Sequence, residues 1–377
     1  MKYINRKEIA FIIVLLFVIG ILAALPTGFQ KQEYRYTAGV KAKVISVNNA
    51  GIMNSGIYKL GDQSALIEIM TGIHEGMQVE ASNMLTGRLS ADKVFKTGDI
   101  AWVLIGYDEN NNIVFANMID HYRIDKQVLL SAIFAVVMIT FSGFTGIRTL
   151  LSFIFSLLSI WKILIPAVLK GFNPLISTLI IGNILTVCTL LLVAGFCKKA
   201  YAAIISSIVC SLATCLFAVF FGRLFNIHGA VLEGAESLLY AGFLNLDLTS
   251  IFQAGIYLAS LGAILDLAID ISSALEEIAR NTPGISRHKL MKSGLNIGKS
   301  VVGSQTTTLL FAYIGSYITI LMVYMAQGTP IMNILNSKSM SAEILHALVG
   351  CIGLIFVSPL TSLISTFMMC NGSTNTK

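Results

Sequence analysis

The stretch TSIFQAGIYLASLGAILDLAIDISSALEEIARN, residues 249–281, carries two aspartates inside an apolar run that is long enough to cross a bilayer. A carboxylate at membrane depth costs about 2.5–3.5 kcal/mol on insertion scales, so such groups are usually kept for an ion path, a proton relay or a bond between helices. Asp266 and Asp270 are therefore the first candidate functional residues of this chain.

The composition of the 377 residues is typical of an integral membrane protein. Hydrophobic residues make up 55% of the chain and charged residues only 12%, whereas about 25% of the residues of a soluble domain are charged. The net charge of +6 comes mostly from basic residues at the ends of apolar runs and in one short loop. Basic residues in such places orient helices in a membrane, so the charge does not predict a nucleic-acid partner.

The first 124 residues predict two regions. Residues 1–29 hold basic residues followed by the apolar run IAFIIVLLFVIGILAALP, which predicts an uncleaved membrane anchor helix. Residues 30–124 alternate polar and apolar positions in short runs such as VKAKVISV and DIAWVLIGY, separated by turn sequences. This pattern predicts a small all-β domain, a barrel of the OB or SH3-like kind.

Residues 125–377 predict a helical membrane domain of seven spans, which makes about eight transmembrane helices with the anchor. The run at 150–169 also fits a re-entrant segment. The predicted spans lie near residues 127–147, 150–169, 174–196, 201–222, 250–272, 301–325 and 343–369. The expected fold is thus an α-helical polytopic membrane protein whose extracytoplasmic β domain lies between helices 1 and 2.

The distribution of basic residues predicts the orientation, because Lys and Arg concentrate on the cytoplasmic side. With the amino terminus inside, the basic residues of the first segment, Arg148, the pair Lys198 and Lys199, and the basic cluster at 280–299 all lie in the cytoplasm. Both termini are then cytoplasmic and residues 30–124 lie outside.

A polar stripe continues from Asp266, because Asp270, Ser273 and Glu277 follow at i+4, i+7 and i+11 on one helical face. Two interpretations of the aspartates stay open. In the first interpretation, Asp266, and with it Asp270, binds a proton or cation during a conformational cycle. In the second, Asp266 accepts hydrogen bonds from a neighbouring helix and never titrates.

The span that follows carries a second polar face. Small residues let helices approach closely and polar side chains bond across them, so we expect this face to pack against the aspartate helix; lining a polar path with Asp266 is the alternative. The residues of this face are Asn296, Ser300, Gly303, Ser304 and Thr307, with Gln305 and Thr308 beside it.

Signatures of enzymes and metal sites are missing from the sequence. It contains no HExxH, GxSxG or P-loop motif, and we predict no catalytic residues and no cofactor. The six cysteines have no metal-ligand spacing, so no metal site is predicted. His346 is expected to be a hydrogen-bonded interface histidine.

The chain resembles the YibE/F family of bacterial membrane proteins, in the form that carries an extracytoplasmic domain after the first helix. The residues of the resemblance are LGAILDLAIDISSALEEIARNTP at 261–283, KLMKSGLNIGKSVVGSQTTTLLFAYIGS at 289–316 and LVGCIGLIFVSPLTSLIS at 348–365. The resemblance implies a multi-pass protein of the bacterial plasma membrane, and it names no substrate.

The order of the last spans is also similar to the end of the SecF-type export subunit and its resistance-nodulation-division relatives. That likeness implies that carboxylates inside the membrane couple proton movement to the activity of the protein. The predicted function is therefore a membrane permease or export-accessory protein with Asp266 as its coupling site. The alternative is a non-transporting scaffold whose β domain recruits a membrane or extracytoplasmic protein, including a second family member; the lipid bilayer is a partner in either case.

Overall fold

A computed structural model describes residues 6–29 and 36–370; the first residues of the predicted anchor segment, the start of the predicted β domain and the carboxyl-terminal tail lie outside the described residues. The chain forms two compact units, Phe29–Met138 and Met1–Gly28 with Ile139–Lys377. Among these described residues, seven helices are long and apolar enough to cross a membrane, and a five-stranded β-barrel precedes most of them in the chain. The predicted fold class is confirmed.

The barrel of the first unit is built from antiparallel strands and one parallel contact. Strands follow the order β1-β5-β6-β4-β3, and β3 pairs again with β1, so these five close on themselves while β2 extends β3 as a hairpin. The parallel contact joins β4 to β6. Of the two predicted kinds of barrel, the OB-like one agrees with five strands in this order. The strands are β1 Thr37–Asn48, β2 Ile52–Ser55, β3 Tyr58–Ile69, β4 Gln78–Thr86, β5 Ile100–Tyr107 and β6 Ile113–His121.

The barrel has its own hydrophobic core, because alternate residues of each strand point inward. Small and branched residues fill the core, among them Val44, Ile67 and Val103, each 0% exposed. The core explains why a region with so many polar residues folds as a compact unit.

Most residues of the chain lie in helices. They are α1 Arg6–Ala24, α2 Ile124–Ser159, α3 Ile165–Leu169, α4 Pro174–Ala194, α5 Lys198–Leu224, α6 Ala235–Tyr240, α7 Leu248–Asn281, α8 Arg287–Ala326, α9 Ile331–Asn336 and α10 Lys338–Met369. A π-helical turn, Ile160–Leu164, joins α2 to α3.

Helix α2 is divided at Gly143, where φ is 56° and ψ is −130°. Glycine adopts such a backbone readily and other residues do so only with strain. The sequence predicted a division of this region between residues 147 and 150, and the structure places it a few residues earlier. Residues 124–142 and the stretch from residue 144 through α3 are thus two helical segments.

The second half of α2 runs parallel to α1. Arg148 donates to Glu8 over 2.5 Å near the start of both segments, and Lys162 donates to the carbonyl of Leu25 over 2.8 Å at the end of α1. Because the contacts follow the same order along both segments, the two helices point the same way. Their shared apolar cluster contains Leu15, Leu22, Phe155, Leu185 and Leu192.

Candidate functional site on the open face of helix α7

Helix α7 is the central helix of the second unit, and α4, α5, α8 and α10 all pack against it. Asp247, the residue before its first turn, caps the amino terminus of the helix. The carboxylate of Asp247 accepts a hydrogen bond from the backbone N–H of Ser250 over 3.0 Å. The packed side of α7 is apolar. Its fully buried side chains include Tyr257, Ile264, Leu267, Ile271 and Leu275.

The remaining side of α7 is open from Gly255 to Asp270 and again at Glu277. Steps of three and four residues place small residues and carboxylates on this side in one line. A side-chain carbon added at Gly255 or at Gly262 would meet nothing within 4 Å. The exposed members of the open stripe are Gly255, Ala259, Gly262, Asp266, Asp270 and Glu277.

Both candidate carboxylates lie on this open stripe without a partner. Among the described residues, no hydrogen bond or ion pair reaches Asp266 or Asp270. The other acids of the same helix differ, since Glu276 pairs with Lys199 over 3.1 Å and Glu277 with Arg280. The carboxylate of Asp266 is therefore not engaged in a bond to a neighbouring helix within the described chain.

Ser273, the next predicted residue of the stripe, is half-buried. The bond between helices is made instead by its neighbour Ser272, whose hydroxyl accepts from the hydroxyl of Ser365 in α10 over 3.2 Å and donates to the carbonyl of Ala268 over 2.7 Å. This pair could not be predicted from the sequence, because two serines on different helices give no signal of their contact.

The predicted polar face of α8 is open as well. Its members Asn296, Ser300, Ser304, Thr307 and Thr308 are exposed, and Gln305 is half-buried. The hydroxyls of Thr307 and Thr308 donate within their own helix, to the carbonyls of Gly303 and Ser304, each over 3.0 Å. Those of Ser300 and Ser304 also lie near carbonyls of α8.

The packing face of α8 therefore differs from the one that we predicted. Gly294 and Gly298 are buried. A side-chain carbon added at Gly298 would lie 1.8 Å from the Oγ of Ser358 in α10, and one added at Gly294 would lie 2.7 Å from the Oγ of Ser362. The close approach also includes Leu275 of α7, 3.0 Å from the added carbon at Gly294. The GxxxG spacing of GLNIG is a known signal for such contacts, and the prediction from polarity alone did not include it.

The family model for YibE/F-like proteins matches residues 130–371, which is more than half of the chain and includes all of α4 to α10. The chain belongs to the YibE/F family. No curated protein matches it, and no solved structure does.

The matched part of this YibE/F protein contains every candidate site residue, and the β-barrel precedes it. Among residues 6–29 and 36–370, no three His, Cys, Asp or Glu side chains are grouped to hold a metal ion. The site of this family member is thus a pair of carboxylates on an open helix face beside a helix with an open hydroxyl-bearing face.

Proposed function

We propose that this YibE/F protein is a membrane permease or export-accessory protein in which Asp266 binds and releases a proton or cation, and that it is not an enzyme. The supporting observation is the carboxylate of Asp266, unpartnered on the open side of a helix whose other sides are buried. Asp270, one turn nearer the end of α7, is the second carboxylate of the same site.

A charged side chain in a bilayer costs about 2.5–3.5 kcal/mol at the helix centre. An aspartate bonded to a neighbouring helix would recover part of that cost, but Asp266 has no such bond among the described residues. Its carboxylate must then be hydrated, neutralised by a proton or covered by another subunit. Coupling to an ion gradient requires a group that changes between a charged, hydrated state and a neutral, protonated state.

The hydroxyl-bearing face of α8 supports a polar path near these carboxylates. Its serine and threonine side chains bond only to their own helix among the described residues, so their oxygens retain lone pairs for water or an ion. We assign Ser300, Ser304 and Thr307 to this path, with Asn296, Gln305 and Thr308 at its border and Ser273 on the α7 side.

We also propose that the chain crosses the bacterial plasma membrane eight times. Because α1 and the second half of α2 are parallel, the chain must cross back once between them. Residues 124–142, about 28 Å long at a rise of about 1.5 Å per residue, are long enough for this crossing. Both termini then lie on one side, the cytoplasmic side by the distribution of basic residues, and the β-barrel lies outside.

Labelling with N,N′-dicyclohexylcarbodiimide tests the site without knowledge of the substrate, because this apolar reagent modifies protonated carboxyl groups at membrane depth. We expect mass spectrometry of the full chain in nanodiscs to find the adduct on Asp266. It should vanish in Asp266→Asn and persist in Glu277→Gln, the matched change at the exposed end of the same stripe. An unmodified Asp266 in the folded wild type would contradict the proposal.

Proton flux gives the functional readout. Proteoliposomes with a trapped pH-sensitive dye and an imposed pH gradient should lose the gradient faster with the wild type than with Asp266→Asn. Size-exclusion chromatography checks that the variant is folded. Equal rates for wild type, variant and empty vesicles would remove the coupling role.

The second candidate function is a scaffold that does not transport. The observation in its favour is the barrel, a separate compact unit with its own core. A cleft of about 710 Å³ on this unit has a mixed lining that includes the charged residues Asp99, Arg123 and Lys126. Deleting residues 35–120 and comparing copurifying proteins separates the two functions. A transporter keeps its flux after the deletion, whereas a scaffold loses an extracytoplasmic partner or a second family member.

A further inference from the structure

One end of the β-barrel lies next to the bilayer, because the chain passes from there into the membrane. Strand β6 ends at His121 and α2 begins at Ile124, so the strand end and the helix start are at most about 10 Å apart. The side chains of Val128, Leu129 and Leu130 on the first turns of α2 are apolar and exposed, as expected where a span enters lipid. The barrel end at His121 is therefore its membrane end.

The strand directions place the hairpin of β2 and β3 at the membrane end. Both β1 and β6 run antiparallel to β5, so β1 points toward the membrane as β6 does. Strand β3 runs antiparallel to β1, and its first residue, Tyr58, thus lies at the membrane end. Residues 58–63 of β3 extend past Asn48, the last residue of β1 that pairs with β3. The turn between β2 and β3 therefore projects toward the bilayer surface.

This hairpin and the neighbouring strand carry a continuous apolar surface. Met53 and Leu60 are register partners in β2 and β3, and the side chains of directly paired residues lie on the same face of a sheet. Met84 of β4 lies diagonally beside Leu60, because its own register partner is Asp62. The exposed fractions are 66% for Met53, 69% for Met84 and 72% for Ile57 in the turn.

These exposed side chains form what we call the apolar tip. Its members are Met53, Ile57, Tyr58, Leu60 and Met84. A group of exposed apolar side chains on one surface marks a site of contact with a membrane or with another protein. Tyrosine is enriched at the level of lipid headgroups, because its ring is apolar and its hydroxyl is polar.

The membrane end also carries basic residues that suit lipid phosphates. Because β4 runs antiparallel to β3, the loop between β4 and β5 starts at this end. The loop holds Arg88, Lys93 and Lys96. Its two acids, Asp92 and Asp99, accept hydrogen bonds from backbone N–H groups of the same loop. The loop is thus net basic, and basic side chains near a membrane surface are attracted to anionic headgroups.

The opposite end of the barrel is acidic. The loop between β3 and β4 and the turn between β5 and β6 contain Glu75, Asp108 and Glu109, and neither contains a lysine or an arginine. This far end also exposes an apolar side chain, Ile73, at 88%, but without a cation in its loop. The combination of exposed apolar residues and basic residues therefore occurs at the membrane end and not in these far loops.

We propose that the apolar tip inserts into the bilayer surface, with lipid as its partner. In this arrangement Met53 and Ile57 contact acyl chains, Tyr58 lies at the level of the headgroups, and Arg88 lies near lipid phosphates. The barrel then touches the membrane at two places, the apolar tip and the link to α2. Two attachments hold it in one orientation on the membrane, whereas the short link alone would let it turn. The proposal does not depend on proton binding by Asp266.

Fluorescence quenching tests the insertion in the full chain, in nanodiscs that hold one copy. In a variant without the native cysteines, a bimane label is attached to Ser55→Cys, in the hairpin beside the apolar tip. A second variant carries the label on Asn110→Cys, in the turn between β5 and β6. We expect lipids with a nitroxide near the headgroup to quench the label at residue 55 and not the one at residue 110. Iodide in the water should quench the label at residue 110 more strongly.

Substitutions in the apolar tip supply the matched comparison. Met53→Ser combined with Ile57→Ser should abolish most of the lipid quenching at residue 55. Ile73→Ser, which removes an equally exposed apolar side chain at the far end, should leave that quenching unchanged. Both residues of the double change are exposed, so the core of the barrel keeps its contacts, and size-exclusion chromatography checks the fold. If the double variant does not fold, Ile57→Ser alone should weaken the lipid quenching.

Two results would overturn the proposal. Iodide quenching of the label at residue 55 as strong as that at residue 110 would show that the hairpin lies in water. A label at residue 55 that neither iodide nor the nitroxide lipid quenches would show that protein covers the apolar tip.

Discussion

Arg148 and Glu8 form an ion pair between the first turn of α1 and the second half of α2, with 2.5 Å between Nη2 and Oε2 and only 12% and 22% of the two side chains exposed. The Nε of Arg148 is buried and has no partner among the described residues, so Glu8 carries most of the compensation for this charge. The pair fixes which ends of the two helices meet.

Removing either partner should therefore destabilise the membrane unit. Breaking a buried ion pair costs about 3–5 kcal/mol, because the remaining charge is left uncompensated. We expect Glu8→Gln to lower the free energy of unfolding in detergent by an amount of this order, and the double change with Arg148→Gln to cost less than the sum of the two. Glu277→Gln breaks an exposed pair and should cost less than about 1 kcal/mol. Equal effects of Glu8→Gln and Glu277→Gln would contradict the role of burial.

Cysteine labelling should place the β-barrel and the start of α8 on opposite sides of the membrane. The experiment uses a variant without the six native cysteines. In intact cells, a membrane-impermeant maleimide should label Asn111→Cys, in the turn between β5 and β6. It should label Lys289→Cys, at the start of α8, only after the cells are permeabilised. The reason is the parallel course of α1 and the second half of α2, which requires a crossing by residues 124–142. Labelling of both cysteines in intact cells would show that the proposed orientation is wrong.

Two glycines of α8 should respond in opposite directions to the same substitution. A side-chain carbon at Gly298 would lie 2.8 Å from the Cβ of Ser358, whereas one at Gly303 would meet nothing within 4 Å. Overpacking typically costs about 1–3 kcal/mol, and replacing an open helical glycine by alanine gains up to about 1 kcal/mol. Thermal unfolding should show Gly298→Ala less stable and Gly303→Ala at least as stable as the wild type. A destabilised Gly303→Ala would mean that the open face is covered.

The fold was predictable where one periodicity dominates. Apolar runs of sufficient length located the helices, and alternation in runs such as VKAKVISV located the strands of the barrel. The break in α2 was misplaced by a few residues, because apolarity is continuous through Gly143 and only the backbone angles mark the turn. Strand order also depends on contacts between distant residues, which no local pattern carries.

The candidate site was predictable only in part. The cost of a charge in a bilayer identified Asp266 and Asp270 from sequence alone, yet which face of α8 packs could not be decided by polarity. Gly294 and Gly298 pack because they are small, whereas Ser304 and Thr307 bond to their own backbone and stay open.

The β-barrel should lose stability in acid through Asp92. Its carboxylate accepts hydrogen bonds from the backbone of Thr86 over 3.0 Å and of Arg88 over 2.8 Å, and these bonds, those of Thr86 foremost, lower the pKa of Asp92. A lowered pKa adds stability that is present above the unfolded value of about 3.9 and is lost as the pH falls through the folded value.

Fluorescence of Trp102 in β5 should follow this loss in the full chain carrying Trp161→Phe. In Asp92→Asn, the stability of the barrel should fall less between neutral and acid pH than in the wild type. Asp62→Asn, on the exposed side of β3, serves as the control and should show the same fall as the wild type. An unchanged acid profile in Asp92→Asn would show that the hydrogen bonds of this turn do not contribute.

A buried glutamine organises the side of the barrel at Phe95. Gln63 is 0% exposed, and its amide group donates to the carbonyl of Phe95 over 2.9 Å and accepts from the N–H of Phe95 over 3.0 Å. It also donates to Asn49 over 2.7 Å and accepts from Asn83 over 3.1 Å. All four hydrogen-bonding positions of the side chain are thus used, and the segment around Phe95 is held over the core by them.

Gln63→Leu should therefore destabilise the barrel although leucine fits an apolar core. The change leaves the backbone N–H and carbonyl of Phe95 buried without partners, at about 1–3 kcal/mol for each such group. We expect the midpoint of urea unfolding, followed by Trp102 fluorescence, to fall clearly, whereas Gln78→Leu at the exposed start of β4 should change it little. A Gln63→Leu protein as stable as the wild type would mean that the segment around Phe95 is held by its apolar contacts alone.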